Sequence, residues 1–174
     1  MFRPSDVVWT GEPHHSGERH SNHWKTAEDW QSSTLTPGPM VHPGTWPART
    51  LTRSAENVLT SPWLVADFDQ DPLTGNKPQT PAEIEALHRL ALAVVNWLRS
   101  KCGWKLGAVI HTGNRSLHAW FARPSNLATM EIELAALGLD PALFRKSQTA
   151  RLPGQRHAKT GGISRVLWLQ APIQ

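Results

Sequence analysis

From residue 63 onward the chain alternates between short apolar runs and polar turns. Trp63-Leu64-Val65-Ala66-Asp67-Phe68-Asp69 is an apolar run that ends in acids, and it predicts a buried strand over 64–69. Asp71-Pro72-Leu73-Thr74-Gly75-Asn76 has the residues of a turn-rich loop. The spacing then becomes helical, with Ile84, Leu87, Ala91, Val94 and Leu98 on one face. Thr80 suits the N-cap, Pro81 the N1 position and Glu83 the N3 position of a capping box, and Gly103 marks the stop. Leu106 to His111 predicts a strand, Thr112-Gly113-Asn114 a tight turn, and Ser116 to Ala122 the returning strand of a hairpin. A second helix is predicted from about Asn126, with Leu127, Met130, Leu134 and Leu137 on one side and Gly138 after it. Ile163 to Gln170 alternates weakly and reads as a last strand.

The order β-α-β-β-α-β predicts an α+β fold of the split βαβ, RRM-like kind, with helices on one face of an antiparallel sheet. The other face is then free to carry a site. Residues 1 to about 60 are less regular. Val7-Val8-Trp9 reads as a short strand, while Thr36-Pro37-Gly38-Pro39 and His42-Pro43-Gly44 read as loop. A chain of 174 residues suffices for one core and is cramped for two. The expected organisation is therefore a single domain over 1–174, with an N-terminal α/β flank (1–60) and an RRM-like module (61–174). No internal repeat and no low-complexity tract interrupts it.

Composition changes the picture in three places. The 39% hydrophobic content and mean hydropathy of −0.41 fit a soluble globular protein. No run approaches the length of a membrane span, and the start lacks the basic and apolar regions of a signal peptide, so a cytoplasmic protein with no membrane partner is expected. Cys102 stands alone, which excludes a disulfide within the chain and any Cys-rich zinc ribbon. The net charge of +4 is a weak pointer to an anionic partner, but most of the Lys and Arg fall in the second half, around the hairpin and the tail. Nine Trp occur with no Tyr. Rolling-circle initiators and relaxases, which need a Tyr nucleophile, are thereby nearly excluded.

Residues two apart on a strand point to the same face. Asp67 and Asp69 can thus present two carboxylates together while Phe68 turns into the core. Two adjacent carboxylates repel unless a cation binds between them, and such oxygen ligands suit Mg²⁺ or Mn²⁺. Asp71 shares their parity, but Pro72 ends the strand, which makes Asp71 a second-choice ligand. An isolated D-x-D can equally cap loop amides. Ser116 and His118 form a second same-face pair, and with Arg115 they make a cradle for a triphosphate. The cluster His14, His15, His20 and His23 would need several imidazoles from one loop to hold zinc, and is read against zinc. Cys102 reads as a buried helix-end thiol, and most of the Trp residues as core.

D-F-D and S-L-H-A-W-F, in this order and on these elements, resemble motifs I and II of the archaeo-eukaryotic primase superfamily, the primase-polymerases. The hairpin Thr112-Gly113-Asn114-Arg115-Ser116-Leu117-His118 resembles the family's motif II hairpin. Leu139-Asp140 is the candidate for motif III, a hydrophobic residue followed by Asp. Arg151-Leu152-Pro153-Gly154-Gln155-Arg156 followed by Arg165-Val166-Leu167-Trp168-Leu169, and upstream Thr52-Arg53-Ser54-Ala55-Glu56-Asn57-Val58, resemble segments of phage, plasmid and mobile-element members. The resemblance covers about residues 45–170.

It implies a primase-polymerase catalytic core. Asp67, Asp69 and Asp140 would hold Mg²⁺ or Mn²⁺, with His118 also in the catalytic set. Ser116 and His118 would contact the nucleotide's phosphates, and Arg115, Arg151, Arg156 and Lys159 would lie near triphosphate or template. The implied reaction is templated addition of an NTP or dNTP on single-stranded DNA. Without a G-x-x-x-x-G-K-[ST] motif, unwinding would fall to a separate helicase. Gly138-Leu139-Asp140-Pro141-Ala142 reads equally as a helix stop followed by an N-cap Asp. Arg151, Arg156 and Lys159 also read as a solvated basic loop. Two other functions stay open: a non-catalytic RRM-like module that binds single-stranded nucleic acid, and a metal-dependent nuclease on the same acids.

Overall fold

A computed structural model describes residues 1–12, 23–48, 50 and 52–170. Strand β4 (Trp63–Phe68) is buried on both faces, which is why its sequence is an apolar run rather than a strict alternation. Leu64, Ala66 and Phe68 pack under two helices, α2 (Pro81–Ser100) and α3 (Leu127–Ala136), together with Leu98, Leu134 and Phe121. Val65 faces the opposite way. Helix α2 begins with the expected capping box: Thr80 accepts from Glu83 N, and Glu83 Oε2 accepts from Thr80 N at 2.9 Å. It buries Leu87, Ala91, Val94, Val95 and Leu98. Strands β5 (Leu106–His111) and β6 (Leu117–Ala122) form the expected antiparallel hairpin.

Among the described residues every paired strand is antiparallel, in two four-stranded sheets. One has the order β4-β6-β5-β8, where β8 is Arg165–Leu169. The other has the order β2-β1-β3-β7, built from Trp24–Thr26, Val7–Gly11, Met40–Val41 and Ala150–Arg151. A six-residue helix, α1 (Ala27–Ser32), follows β2. The fold is α+β, as the sequence predicts.

Two details depart from the expected arrangement. The split βαβ is present, with β6 between β4 and β5. The last strand, however, adds beside β5, whereas an RRM-like sheet would place it beside β4. The free edge of β4 is already taken: Leu139 bridges Phe68, and Asp140 N donates to the Asp67 carbonyl at 3.1 Å. The sheet face opposite the helices is also not open. Val65, Ala108, Ile110 and Trp120 on that face pack against Val8, Val41 and Ala150 of the second sheet. Strands β1 and β3 of the N-terminal part thus cover the module, and β7, from the C-terminal half, completes their sheet. A third cluster, Trp9, Trp24 and Trp46, fills the far side of that second sheet.

Candidate active site

Residues of both sheets line a cleft at the end of β4 and the start of β6. A cavity of about 300 Å³ opens there. Asp67 and His118 sit in its wall as direct partners in the β4–β6 register. His118 Nε2 lies 3.4 Å from Asp67 Oδ2. On the other side of the ring, Nδ1 accepts from Arg151 N at 3.3 Å. That bond leaves the imidazole proton on Nε2, facing the carboxylate. His118 is only 5% exposed, so the ring is held from both sides.

The second carboxylate oxygen, Asp67 Oδ1, is buried and has no hydrogen-bond partner. A buried anionic oxygen without a partner is costly, and a cation bound beside it would remove that cost. Asp69, one residue beyond β4, also lines the cavity, and its Oδ2 pairs with the Lys77 ammonium. Among the described residues, no three His, Cys, Asp or Glu side chains converge as a ready-made metal group. The donor set that fits a hard cation is therefore Asp67 and Asp69, two carboxylates of one strand end.

The rest of the lining is basic and polar. Arg115 is fastened at both ends: its guanidinium donates to the Pro78 carbonyl at 3.1 Å, and its carbonyl accepts from His88 Nε2 at 2.9 Å. Ser116 Oγ lies 3.0 Å from Thr112 Oγ1, across the mouth of the hairpin turn. Arg151 is half-buried; burial lowers its pKa from the ordinary value, against the opposing charges of Glu12 and Asp67. His157 is buried, and its pKa is lowered first by that burial and then by the charges of Arg151, Lys159 and Arg115. Arg151, Lys159 and Arg115, all close enough to act on this imidazole, make the lining one that suits an anion.

A close backbone approach brings the basic loop here. Gly113, at φ +82°, and Gly162 touch so closely that a Cβ on Gly162 would lie 2.0 Å from the Gly113 carbonyl oxygen. Thr160 Oγ1 donates to that same carbonyl at 3.0 Å. Only glycines let the 157–162 loop lie against the hairpin turn.

Of the residues singled out in the sequence, Asp67, Asp69, Arg115, Ser116, His118, Arg151 and Lys159 line the one cavity. Asp140 and Arg156 do not. The Asp140 carboxylate accepts from Ala142 N at 2.8 Å and caps the short 3-10 turn Pro141–Phe144. Arg156 is exposed and donates to the Gly161 carbonyl at 2.9 Å, bracing the basic loop. Asp71 accepts from Leu73 N and Thr74 N and shapes its own loop. His14, His15 and His20 lie outside the described residues, and His23 Nδ1 contacts the Thr10 carbonyl at 2.8 Å. Cys102 is partly buried against the main core. Lys77, Gln148, Thr149 and His157 also line the cavity and carry no sequence signal strong enough to find them. A larger groove of about 700 Å³ lies outside this wall, between the 71–79 loop and α2, and shares Lys77 with the site.

No protein-family model matches the chain, and no curated protein matches it. Among solved structures it is similar to the archaeo-eukaryotic primase (AEP) domain of the primase-polymerase, PrimPol, of cyanophage S-2L. The TM-score is 0.51 and the identity 13%, over 96% of this chain and 82% of that one. At this identity the likeness is one of fold: the chain has the AEP type of α+β architecture. No helix among the described residues is long and apolar enough to cross a membrane.

Proposed function

We propose that the chain is a primase-polymerase catalytic core, carrying out divalent-metal-dependent nucleotidyl transfer from an NTP or dNTP on a single-stranded DNA template. The observation that carries this reading is the orphaned, buried Asp67 Oδ1, in a cavity that Asp69, Arg115, Arg151 and Lys159 also line. Asp67 and Asp69 would hold Mg²⁺ or Mn²⁺. The chemistry that such an ion supplies is activation of the attacking 3′-hydroxyl and neutralisation of the leaving pyrophosphate. Arg115, Ser116, Arg151 and Lys159 bind the triphosphate and set its phosphates in line. His118, locked by Arg151 N, orients Asp67 and keeps an N–H in the cavity wall. Asp140 braces the edge of β4 from behind.

The fold of the cyanophage neighbour supports this reading. The non-catalytic alternative needs aromatic rings on an open sheet face for bases to stack on. Trp120, on the face in question, is 2% exposed beneath the second sheet.

The test is extension of a labelled primer on a DNA template with Mg²⁺ or Mn²⁺. Extension is expected from the wild type and its loss, by about 100-fold or more, from Asp67→Ala and Asp69→Ala. Shortening of the labelled strand would identify a nuclease. Binding of single strands without chemistry at any metal or nucleotide would refute both enzyme readings.

A further inference from the structure

The Asp69 carboxylate does not stand free, because the Lys77 ammonium pairs with it. Lys77 comes from the loop between β4 and α2, and its main chain is fixed on both sides. The Gln79 side-chain amide donates to the Lys77 carbonyl at 2.8 Å, and the Arg115 guanidinium holds the next carbonyl, that of Pro78. The side chain itself is 50% exposed. A lysine is a point charge on a flexible stem, so this ammonium can leave Asp69 without any movement of the loop. A divalent cation brings twice the charge to the same oxygens and favours carboxylate ligands. It also has a second donor waiting, the unpartnered Asp67 Oδ1. Lys77 and the metal therefore compete for one carboxylate. The cavity that would receive a displaced ammonium is the one lined by Arg115, Arg151 and Lys159. Repulsion among these cations falls only when an anion enters.

We propose that Lys77 is an exchangeable counter-ion of Asp69: it neutralises the carboxylate until a divalent cation enters, then turns to the phosphates of the incoming nucleotide. This rests on the nucleotidyl-transfer reading of the site and adds to it a coupling between the metal and the nucleotide. Metal entry creates a phosphate ligand, and a bound triphosphate in turn draws Lys77 away from Asp69 and strengthens metal binding.

The experiment uses the full chain and measures binding alone. Free Mn²⁺ is followed by electron paramagnetic resonance, without nucleotide, in the wild type, Lys77→Met, Lys77→Arg and Asp69→Asn. Affinity for a non-hydrolysable dNTP analogue is then measured by calorimetry at saturating Mn²⁺. Lys77→Met is expected to bind Mn²⁺ about threefold to fivefold more tightly than the wild type, the scale of an exposed ion pair. Lys77→Arg keeps the charge and is expected to stay near the wild type. The analogue is expected to bind Lys77→Met about tenfold more weakly. Unchanged or weaker Mn²⁺ binding by Lys77→Met overturns the proposal, and so does unchanged analogue affinity. If Mn²⁺ binds wild type and Lys77→Met equally and is lost in Asp69→Asn, only the role of Lys77 fails. If neither wild type nor Lys77→Met binds Mn²⁺, with or without the analogue, the nucleotidyl-transfer reading fails as well.

Discussion

Acid should weaken this fold through one buried histidine. His42 follows β3 and has 0% exposure. Its Nδ1 accepts from Gly44 N at 2.8 Å, and its Nε2 donates to the Lys146 carbonyl at 2.7 Å. It thereby ties the second sheet to the segment that runs through Gln148 and Thr149 into β7 and Arg151. Burial lowers its pKa from 6.5 to about 4; the Lys146 carbonyl pushes upward, and the Arg53 charge adds a smaller lowering. In the unfolded chain the ring titrates at its ordinary value, so on acidification the unfolded state takes up the proton first. The stability owed to neutral His42 is whole above about pH 6.5 and is lost as the pH falls toward 4. The difference corresponds to about 3 kcal/mol in full, of which about 2 kcal/mol is gone by pH 5. For a domain whose total stability is about 5–15 kcal/mol, that loss is measurable. The assay is urea unfolding at pH 7 and pH 5 for the wild type and His42→Gln, whose amide cannot titrate. The wild type should lose about 2 kcal/mol more than the variant between the two pH values. Equal losses in the two proteins would refute the reasoning.

Three further outcomes are expected. Gly162→Ala puts a methyl group onto the Gly113 carbonyl oxygen and should cost about 1–3 kcal/mol; the basic loop retreats, so analogue binding in calorimetry should weaken along with the melting temperature. Phe121→Ala empties a fully buried position that packs edge-on to Trp104 at a ring distance of 5.4 Å. It should cost about 3–5 kcal/mol, read as a lower urea midpoint at an unchanged slope. His118→Ala removes the group that holds Asp67 on β4 and should slow single-turnover primer extension by about 100-fold, with far-UV circular dichroism unchanged.

The sequence by itself determined the local elements and brought out about half of the side chains that line the candidate site. Periodicity located β4, α2, the β5–β6 hairpin and α3, because side-chain spacing and the Thr80 and Gly138 end signals are local properties. The parity of Asp67 with Asp69, and of Ser116 with His118, followed from the two-residue repeat of a strand. Only the tertiary structure decided what lies across from these residues. That β8 joins β5, and that Leu139 bridges the end of β4, are contacts between residues far apart in sequence. The burial of Trp120 depends on a second sheet that borrows Ala150–Arg151 from the other end of the chain. Asp140 and Arg156 have the right residue types, but local hydrogen bonds to Ala142 N and the Gly161 carbonyl hold them outside the cavity. Lys77, in a loop with no periodicity to mark it, reaches Asp69 only because Arg115 and Gln79 hold that loop over the strand end. A carboxylate at a strand end can be read from its neighbours in sequence, but the charge that faces it is set by the packing of distant segments.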